Sequence, residues 1–370
     1  MQTTSRIENV TSSKRLAWLD LAKSYGMILV FLGHILEAFY MSGFSSALLS
    51  YKAIYSFHVP LFFILSGFLS KPFLGGLKEY LKLKFWSRIM PFVFFNIIGL
   101  ACLMLIDFVK GKQNIFAYLS DGLLLLKGIP VFNVTTWFLM CLFAVEILHF
   151  LVSRLFSARS LRFLVALGLF FVGWFITFRY PQLVVNVWFF PEALVAYLFY
   201  SFGIQFKHQG WFSKAGESKN LTGFGVCFVI TLLTFNLNQN FFSVDPPVVI
   251  MGYSSHGQPL LFLITGLAGS LAVIYLARWV ALSQRLVSLQ TRLGIQSIGL
   301  NTLILLGLNG LLVRWFNYTV AKRLITLLPA QPVAILMLSV VLTVISLVLC
   351  IPAVVVLRRY FPKTVGLGRP

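Results

Sequence analysis

Residues 15–40, RLAWLDLAKSYGMILVFLGHILEAFY, and residues 55–71, YSFHVPLFFILSGFLSK, decide the fold of this chain. Each belongs to a mostly apolar run of about 20 residues, the length at which a helix crosses a bilayer. Both runs nevertheless contain ionisable side chains, which are costly in hydrocarbon and therefore point to a functional site. The two stretches thus predict both the class of fold and the place of its site.

The composition of the whole chain extends this prediction. Of 370 residues, 59% are hydrophobic and 11% are charged, whereas a soluble domain has about 25% charged residues. We expect an all-α, polytopic integral membrane helical bundle in which residues 1–14 form a polar tail, 15–357 one membrane domain and 358–370 a basic tail. About ten spans are expected, at about residues 19–40, 47–69, 90–108, 135–152, 161–178, 193–206, 221–237, 260–279, 297–316 and 334–357. The connection at residues 109–134 is expected to be interfacial or re-entrant.

Positive charge dominates the loops. The chain has 30 lysines and arginines against 10 acidic residues, a net charge of +20. Most of the basic residues fall in alternate loops, and the positive-inside bias then predicts that both termini are cytoplasmic. Because this distribution explains the charge, we expect the lipid bilayer as a partner and no nucleic acid. The four cysteines lie in apolar runs without metal-site spacing, so no metal is expected.

The first helix carries its ionisable residues on one face. His34 follows Lys23 by eleven residues, which at about 100° per residue is about 20° past three whole turns. Glu37 falls on the same stripe and Asp20 at its edge. A neutral histidine near mid-membrane can take a proton from a hydroxyl, and a carboxylate one turn away can orient its ring. The alternative, a histidine that serves packing alone, accounts less well for four ionisable residues on one stripe.

A basic segment precedes the third span. Arg88 stands at the entrance of this span, where a guanidinium can hold a phosphate-bearing ligand that arrives from the cytoplasm. Lys84 and Lys82 lie just before it and are candidates for the same ligand. The alternative for the lysines is that they orient the span and contact lipid headgroups.

Three further residues are candidates for contacting a substrate. His58 either lines the same cavity as His34 or only caps its helix before Pro60. Glu146 is an acid within an apolar span, so it either pairs with a basic residue or lines the cavity. Asn301 is expected first to form interhelical hydrogen bonds, with a substrate contact as the second possibility.

Four other positions have simpler expectations. Trp137 is expected in the interfacial aromatic belt, and Gly67 at a helix–helix contact. Asp245 and His256 fall in a predicted outer loop, which we expect to be solvated although an acceptor molecule would dock on that side.

The phrases RLAWLDLAK…ILVFLGH, FHVPLFFILSGFL, SRIMPF and WFLMCLFAVEIL resemble the membrane acyltransferase-3 family, in particular its fucose 4-O-acetylase-like and polysaccharide O-acetyltransferase branch. The family signature is a basic residue, ten intervening residues and a histidine, here Lys23 and His34. The resemblance implies acetyl transfer from cytoplasmic acetyl-CoA to a hydroxyl of a cell-surface polysaccharide or lipid-linked sugar. It implies that His34 is general base or acyl relay, that Lys23 and Arg88 handle the CoA end, and that the location is a bacterial cytoplasmic (inner) membrane.

One departure concerns the acceptor. Relatives in this branch often carry a histidine after an Asn-Ser-Leu phrase in the ninth span, whereas this chain has Asn301-Thr302-Leu303 and then Asn309. The departure bears on which substrate is used rather than on the reaction. Two other functions stay open at this point: a proton-coupled transporter or exporter, in which the stripe is a proton relay, and a structural partner in an envelope complex.

Overall fold

The computed structural model describes residues 16–112, 114–180, 187–212, 216–239, 247–324, 327 and 331–367. All regular secondary structure in these ranges is helical. In chain order the α-helices are α1 (Ala17–Met41), α2 (Leu48–Tyr55), α3 (His58–Leu69), α4 (Leu77–Lys84), α5 (Met90–Val109), α6 (Ile115–Leu124), α7 (Trp137–Leu155), α8 (Arg159–Arg179), α9 (Phe190–His208), α10 (Glu217–Thr234), α11 (Pro259–Leu282), α12 (Gln284–Arg292), α13 (Ile295–Leu300), α14 (Thr302–Leu312), α15 (Tyr318–Leu324) and α16 (Pro332–Tyr360). Two π-helical segments, Phe85–Ile89 and Val313–Asn317, join α4 to α5 and α14 to α15.

Nine helical stretches within these ranges are long and apolar enough to cross a membrane, which confirms the predicted polytopic helical membrane fold. The expected span at about residues 221–237 corresponds to α10, which is not among the nine. Its first turn, ESKN, is polar and carries Glu217 and Lys219, so the helix falls short of the apolarity of the others. It packs along α11 all the same, and therefore belongs to the bundle.

Two of the predicted continuous spans are interrupted. The second is divided between α2, which ends at Tyr55, and α3, which begins at His58. Pro60 lies in the first turn of α3, where its missing N–H removes no helical hydrogen bond. The ninth is broken at Asn301, between α13 and α14. Broken helices are tolerated at membrane depth where the irregular backbone is buried in protein or lines a cavity.

The helix α1 lies at the centre of the bundle. It contacts α2, α3, α11, α13, α14, α15 and α16, and most of its side chains are buried. A second close packing joins α3 to α9. A Cβ atom on Gly67 would collide with the backbone carbonyl of Tyr200, and one on Gly203 would collide with that of Ile64. The glycines therefore allow these two helices to touch backbone to backbone, as was expected of Gly67.

The segment at residues 109–134 contains α6, a surface helix with no buried side chain, and its interfacial or re-entrant position stays a prediction. Two other connections differ from expectation. The predicted outer loop is buried rather than solvated at His256, which is 2% exposed and whose ring contacts Phe262; Asp245 lies outside the described residues. The predicted basic tail continues α16 to Tyr360, and Val365 beyond it is fully buried.

Candidate active site

One face of α1 forms the wall of a cavity of about 260 Å³, here called the first cavity. Lys23, Met27, Val30 and His34 all line it, so the stripe predicted from the sequence faces a single space. Its remaining walls come from α3, α7, α14 and the π-helical segment before α5, and include His58, Ser66, Arg88, Thr135, Trp137 and Leu306.

A second cavity, of about 490 Å³, lies on the other side of His34. His34, His58, Val59 and Trp137 line both spaces and therefore form the boundary between them. The rest of the second cavity is rich in aromatic and hydroxyl-bearing side chains, together with one acid and one guanidinium: Glu37, Tyr55, Phe189, Tyr253, Arg314 and Tyr318.

Three polar side chains form a hydrogen-bonded group at this boundary. The Nδ1 atom of His34 lies 2.7 Å from Oε2 of Glu37. The hydroxyl of Tyr55 donates to the same carboxylate oxygen at 2.8 Å and lies 2.9 Å from Nδ1. A carboxylate can only accept, so the arrangement favours the tautomer with hydrogen on Nδ1. The lone pair then resides on Nε2, the nitrogen required of a general base.

Of the two alternatives for His58, the structure shows a side chain that borders the cavity and does not cap α3. Its Nδ1 atom is 2.9 Å from the carbonyl oxygen of Ile54 in the last turn of α2, so the ring bonds across the junction between α2 and α3. The ring also packs against Tyr55, with 4.7 Å between centroids, and borders both cavities. His58 is therefore available to a substrate, with its orientation fixed by backbone.

Lys23 and Asp20 form an ion pair at the far end of the stripe, with Nζ and Oδ1 2.7 Å apart. Lys23 lines the first cavity, whereas Asp20 is not part of the described lining. The carboxylate is therefore placed to hold the ammonium group from behind, and not to touch a ligand.

Arg88 lies on the π-helical segment Phe85–Ile89 and faces both the first cavity and α7. Its Nε and Nη2 atoms donate to the two oxygens of Glu146, at 3.0 and 2.9 Å. Lys84 donates to the same carboxylate at 2.8 Å. Of the two alternatives for Glu146, the structure shows the ion pair: its side chain is 4% exposed, it serves both cations, and it is not in the lining of the first cavity.

These contacts correct part of the predicted phosphate clamp. Lys84 is held by Glu146 and does not line the first cavity, while Lys82 is exposed on α4 away from it. Arg88 alone of the three borders that space. The reason is helical geometry, since adjacent positions on α4 point in different directions and only one face meets α7.

A family model described as an acyltransferase domain matches residues 16–356 of the chain. The chain belongs to the acyltransferase-3 family. No curated protein and no solved structure matches the chain. The protein is therefore a multi-pass integral membrane protein of an acyltransferase family, and the histidine at the cavity boundary lies within the matched region.

Asn301 forms the interhelical hydrogen bond that was expected of it first, and the substrate contact named as its second possibility is not seen among the described residues of this acyltransferase. The amide of Asn301 donates to the Ser297 carbonyl at 2.6 Å and accepts from Arg358 at 3.1 Å, so it fastens α16 to the break before α14 and is not in the described lining. Trp137 is half-buried and lines both cavities, and its expected place in the aromatic belt stays a prediction. It begins α7, and its ring packs against Phe138 and Phe189.

Sequence reasoning missed Tyr55 and the aromatic lining of the second cavity. Tyr55 stands three residues before His58 in a stretch that the sequence marks as functional, and a hydroxyl so close to this histidine was the available signal. Tyr253 and Tyr318 come from distant segments, and nothing local in the sequence indicates that they meet.

Proposed function

We propose that this membrane acyltransferase moves an acetyl group from acetyl-CoA to a hydroxyl of a cell-surface polysaccharide or lipid-linked sugar, in the cytoplasmic (inner) membrane of a bacterium. One observation carries the proposal. His34, with Nδ1 held by Glu37 and Tyr55, borders two different cavities at once. Such a group can act on a donor in one space and an acceptor in the other.

The first cavity suits the donor. Lys23 and Arg88 line it, and both stand at the end of the bundle that the distribution of positive charge assigns to the cytoplasm. A guanidinium and an ammonium group favour an anionic ligand or a developing thiolate. Glu146 holds Arg88 in place through two hydrogen bonds, so its charge is presented in a fixed direction.

The second cavity suits a carbohydrate acceptor. Trp137, Tyr253 and Tyr318 offer ring faces that pack against the C–H groups of a sugar, while their polar atoms and Arg314 can hydrogen-bond to its hydroxyls. The acceptor hydroxyl must give up its proton to a base, and His34 borders this space.

In a direct transfer, Nε2 of His34 takes the proton of the acceptor hydroxyl while that oxygen attacks the thioester carbonyl carbon. The new C–O bond forms and the C–S bond breaks. The CoA thiolate leaves with the thioester electron pair and receives the proton from His34, so the products are an O-acetyl ester and free CoA. Glu37 stabilises the imidazolium that exists between the two proton transfers.

The test is transfer of label from isotopically marked acetyl-CoA in membranes that contain wild type, His34→Ala or His34→Gln at equal protein level. We expect wild-type membranes to move label into a carbohydrate fraction and both variants to be inactive. Wild-type membranes that leave acetyl-CoA intact across a range of glycan acceptors would contradict the donor assignment. Uptake driven by a proton gradient in the same vesicles would then favour the transporter.

A further inference from the structure

A third cavity, of about 300 Å³, lies near the end of α3. The start of α1 is at the same end of the bundle, because Trp18 of α1 contacts Phe68 of α3. The cavity is enclosed by residues 70–74, the last turns of α7 and α9, and the start of α8. We call it the basic cavity, because five lysines and arginines line it together with two histidines. These are Lys71, Arg154, Arg159, Arg162 and Lys207, with His149 and His208. Within the described part of the chain, its lining contains no aspartate or glutamate.

Positive-inside charge alone predicts basic residues near these helix ends, but it does not predict a pocket. The floor of the basic cavity is buried and partly polar, formed by Tyr80, Phe150, Tyr197 and Ser201. The ring of Tyr80 stacks on that of Phe150 at 4.7 Å between centroids. The cations are therefore arranged around a half-open pocket with a buried floor and are not simply spread over a surface.

The described hydrogen-bond partners of these cations are backbone carbonyls, and the Arg154 guanidinium also lies over the Phe150 ring. Arg154 donates to Gly75 at 2.6 Å and to Leu74 at 3.2 Å, and Lys207 donates to Ser70 at 2.6 Å. The same pattern holds for Arg162, which donates to the carbonyls of residues 156 and 157. A carbonyl carries only a partial charge, so these bonds orient the side chains without neutralising them.

The remaining positive charge has an electrostatic consequence. Lys71 is close enough to Lys207 to interact with it, and Arg159 and Arg162 act together with Lys207 on the His208 ring. The lysine and arginine charges repel one another, and an anion of two or more charges would relieve that repulsion. Among biological anions, a phosphate ester matches best, because guanidinium groups bind phosphate oxygens in a fork and the cavity has room for a phosphate with a small attached group.

The basic cavity adjoins the first cavity. Leu69 lines the first and Ser70 the other, at the end of α3. On α7, Leu142 lines the first cavity and His149 the basic cavity. Their separation of seven positions corresponds to about 10 Å along the helix axis. Glu146 lies between these two positions and holds Arg88, which faces the first cavity.

We propose that the basic cavity binds phosphate groups, and that in the reaction they belong to the nucleotide end of the acyl donor. The flexible arm of that donor would then extend past Arg88, so that its thioester reaches the first cavity beside His34. The assignment of these phosphates to the acyl donor rests on the proposed function, whereas the phosphate site itself does not. A phospholipid headgroup presents the same chemistry and is the other source to test.

Binding is measured first, on the full chain in detergent, with adenosine 3′,5′-bisphosphate as the probe. The test variant is the double substitution Lys71→Gln/Arg159→Gln, because neither of these side chains donates one of the hydrogen bonds to backbone carbonyls described above. The matched control is Arg285→Gln/Lys363→Gln, which removes two exposed charges outside the cavity. We expect the dissociation constant to rise about tenfold or more in the variant and not in the control. Replacing Arg159→Gln by Arg159→Lys in this variant should recover part of the loss, and equal melting temperatures exclude misfolding.

Turnover and lipid binding then identify the source of the phosphate. If the donor is the source, the variant raises KM for acetyl-CoA about tenfold but leaves KM for acetyl-pantetheine, which has no nucleotide, unchanged. If a headgroup is the source, both KM values stay the same and the variant loses stabilisation by phosphatidylglycerol vesicles relative to phosphatidylcholine vesicles. Unchanged probe affinity, KM and lipid response would overturn the phosphate site. Probe binding without any consumption of acetyl-CoA by the wild type would instead refute the proposed function and leave the site standing.

Discussion

The replacement Glu37→Gln gives the most direct test of the group at the cavity boundary. It keeps the size and hydrogen-bonding capacity of the side chain but removes the charge that faces the His34 ring. The carboxylate oxygen is 2.7 Å from Nδ1, which places the centres of the two charged groups roughly 4 Å apart once the ring is protonated. At an effective dielectric constant of about 20, that attraction is about 4 kcal/mol.

Because the ring is positively charged only after it has taken the hydroxyl proton, this attraction acts on the transition state and not on bound substrate. Each 1.36 kcal/mol corresponds to a factor of about ten in rate, so kcat should fall about a thousandfold. KM for acetyl-CoA should stay within about twofold, because Glu37 is outside the described lining of the first cavity.

Tyr55→Phe should cost less, about tenfold in kcat, because it removes one donor and leaves the carboxylate–imidazole contact intact. The double variant should be no slower than Glu37→Gln alone, since the tyrosine acts through that carboxylate. Tyr118→Phe is the matched control, because its hydroxyl donates to Asp107 at 2.7 Å on the exposed α6 region. The assay is the initial rate of label transfer at equal protein level, and Glu37→Gln with more than a tenth of the wild-type kcat would refute the reasoning.

Three other changes test packing and charge. Glu146→Gln leaves the Arg88 guanidinium without its counter-ion, so we expect about 3–5 kcal/mol less stability, measured as a lower melting temperature in detergent. Gly67→Ala drives a methyl group into the Tyr200 carbonyl and should lower both the melting temperature and the yield of folded protein. Burial lowers the pKa of His256 from 6.5 to about 3, so the folded ring is neutral while the unfolded chain takes up a proton below about pH 6.5. The stability of the wild type should therefore fall as pH decreases from about 6.5 to 4, by up to about 1.4 kcal/mol per pH unit, and less steeply in His256→Gln.

Each of these has a specific control. Gly122→Ala adds a methyl group where no atom lies within 4 Å, so it should leave stability unchanged. Glu146→Gln combined with Lys84→Met should regain part of the lost stability, because one unpaired cation is removed. Equal pH slopes in wild type and His256→Gln would show that this histidine is not buried neutral, and a Gly67→Ala variant as stable as wild type would contradict the backbone contact of α3 with α9.

The sequence predicts the membrane class of the fold and the face of α1 that lines the first cavity, because both depend on local composition and helical period. Lys23 and His34 line one cavity since eleven residues are close to a whole number of turns. The breaks in the second and ninth spans were missed, because an apolar run reads as one continuous helix whether or not tertiary contacts interrupt it.

The partners of the ionisable residues were less predictable. Glu146 was recognised as an acid that needs a partner, but its use of both Lys84 and Arg88 depends on the packing of α7 against the π-helical segment. The burial of His256 likewise depends on how residues 247–258 fold over the bundle. From their polar composition alone, these residues were expected to be solvated. Helical period and composition determine which face of a helix carries the ionisable residues. Contacts between distant segments determine which side chains that face touches.

The boundary formed by His34, His58, Val59 and Trp137 has a consequence for the order of events in catalysis. Two substrates that enter through separate spaces do not compete for one pocket, so high concentrations of either should not inhibit binding of the other. Neither space has to empty before the other fills. In the proposed reaction only the acetyl group would pass between them, so the protein would modify a molecule on one side of the membrane with a donor from the other while neither of them is transported.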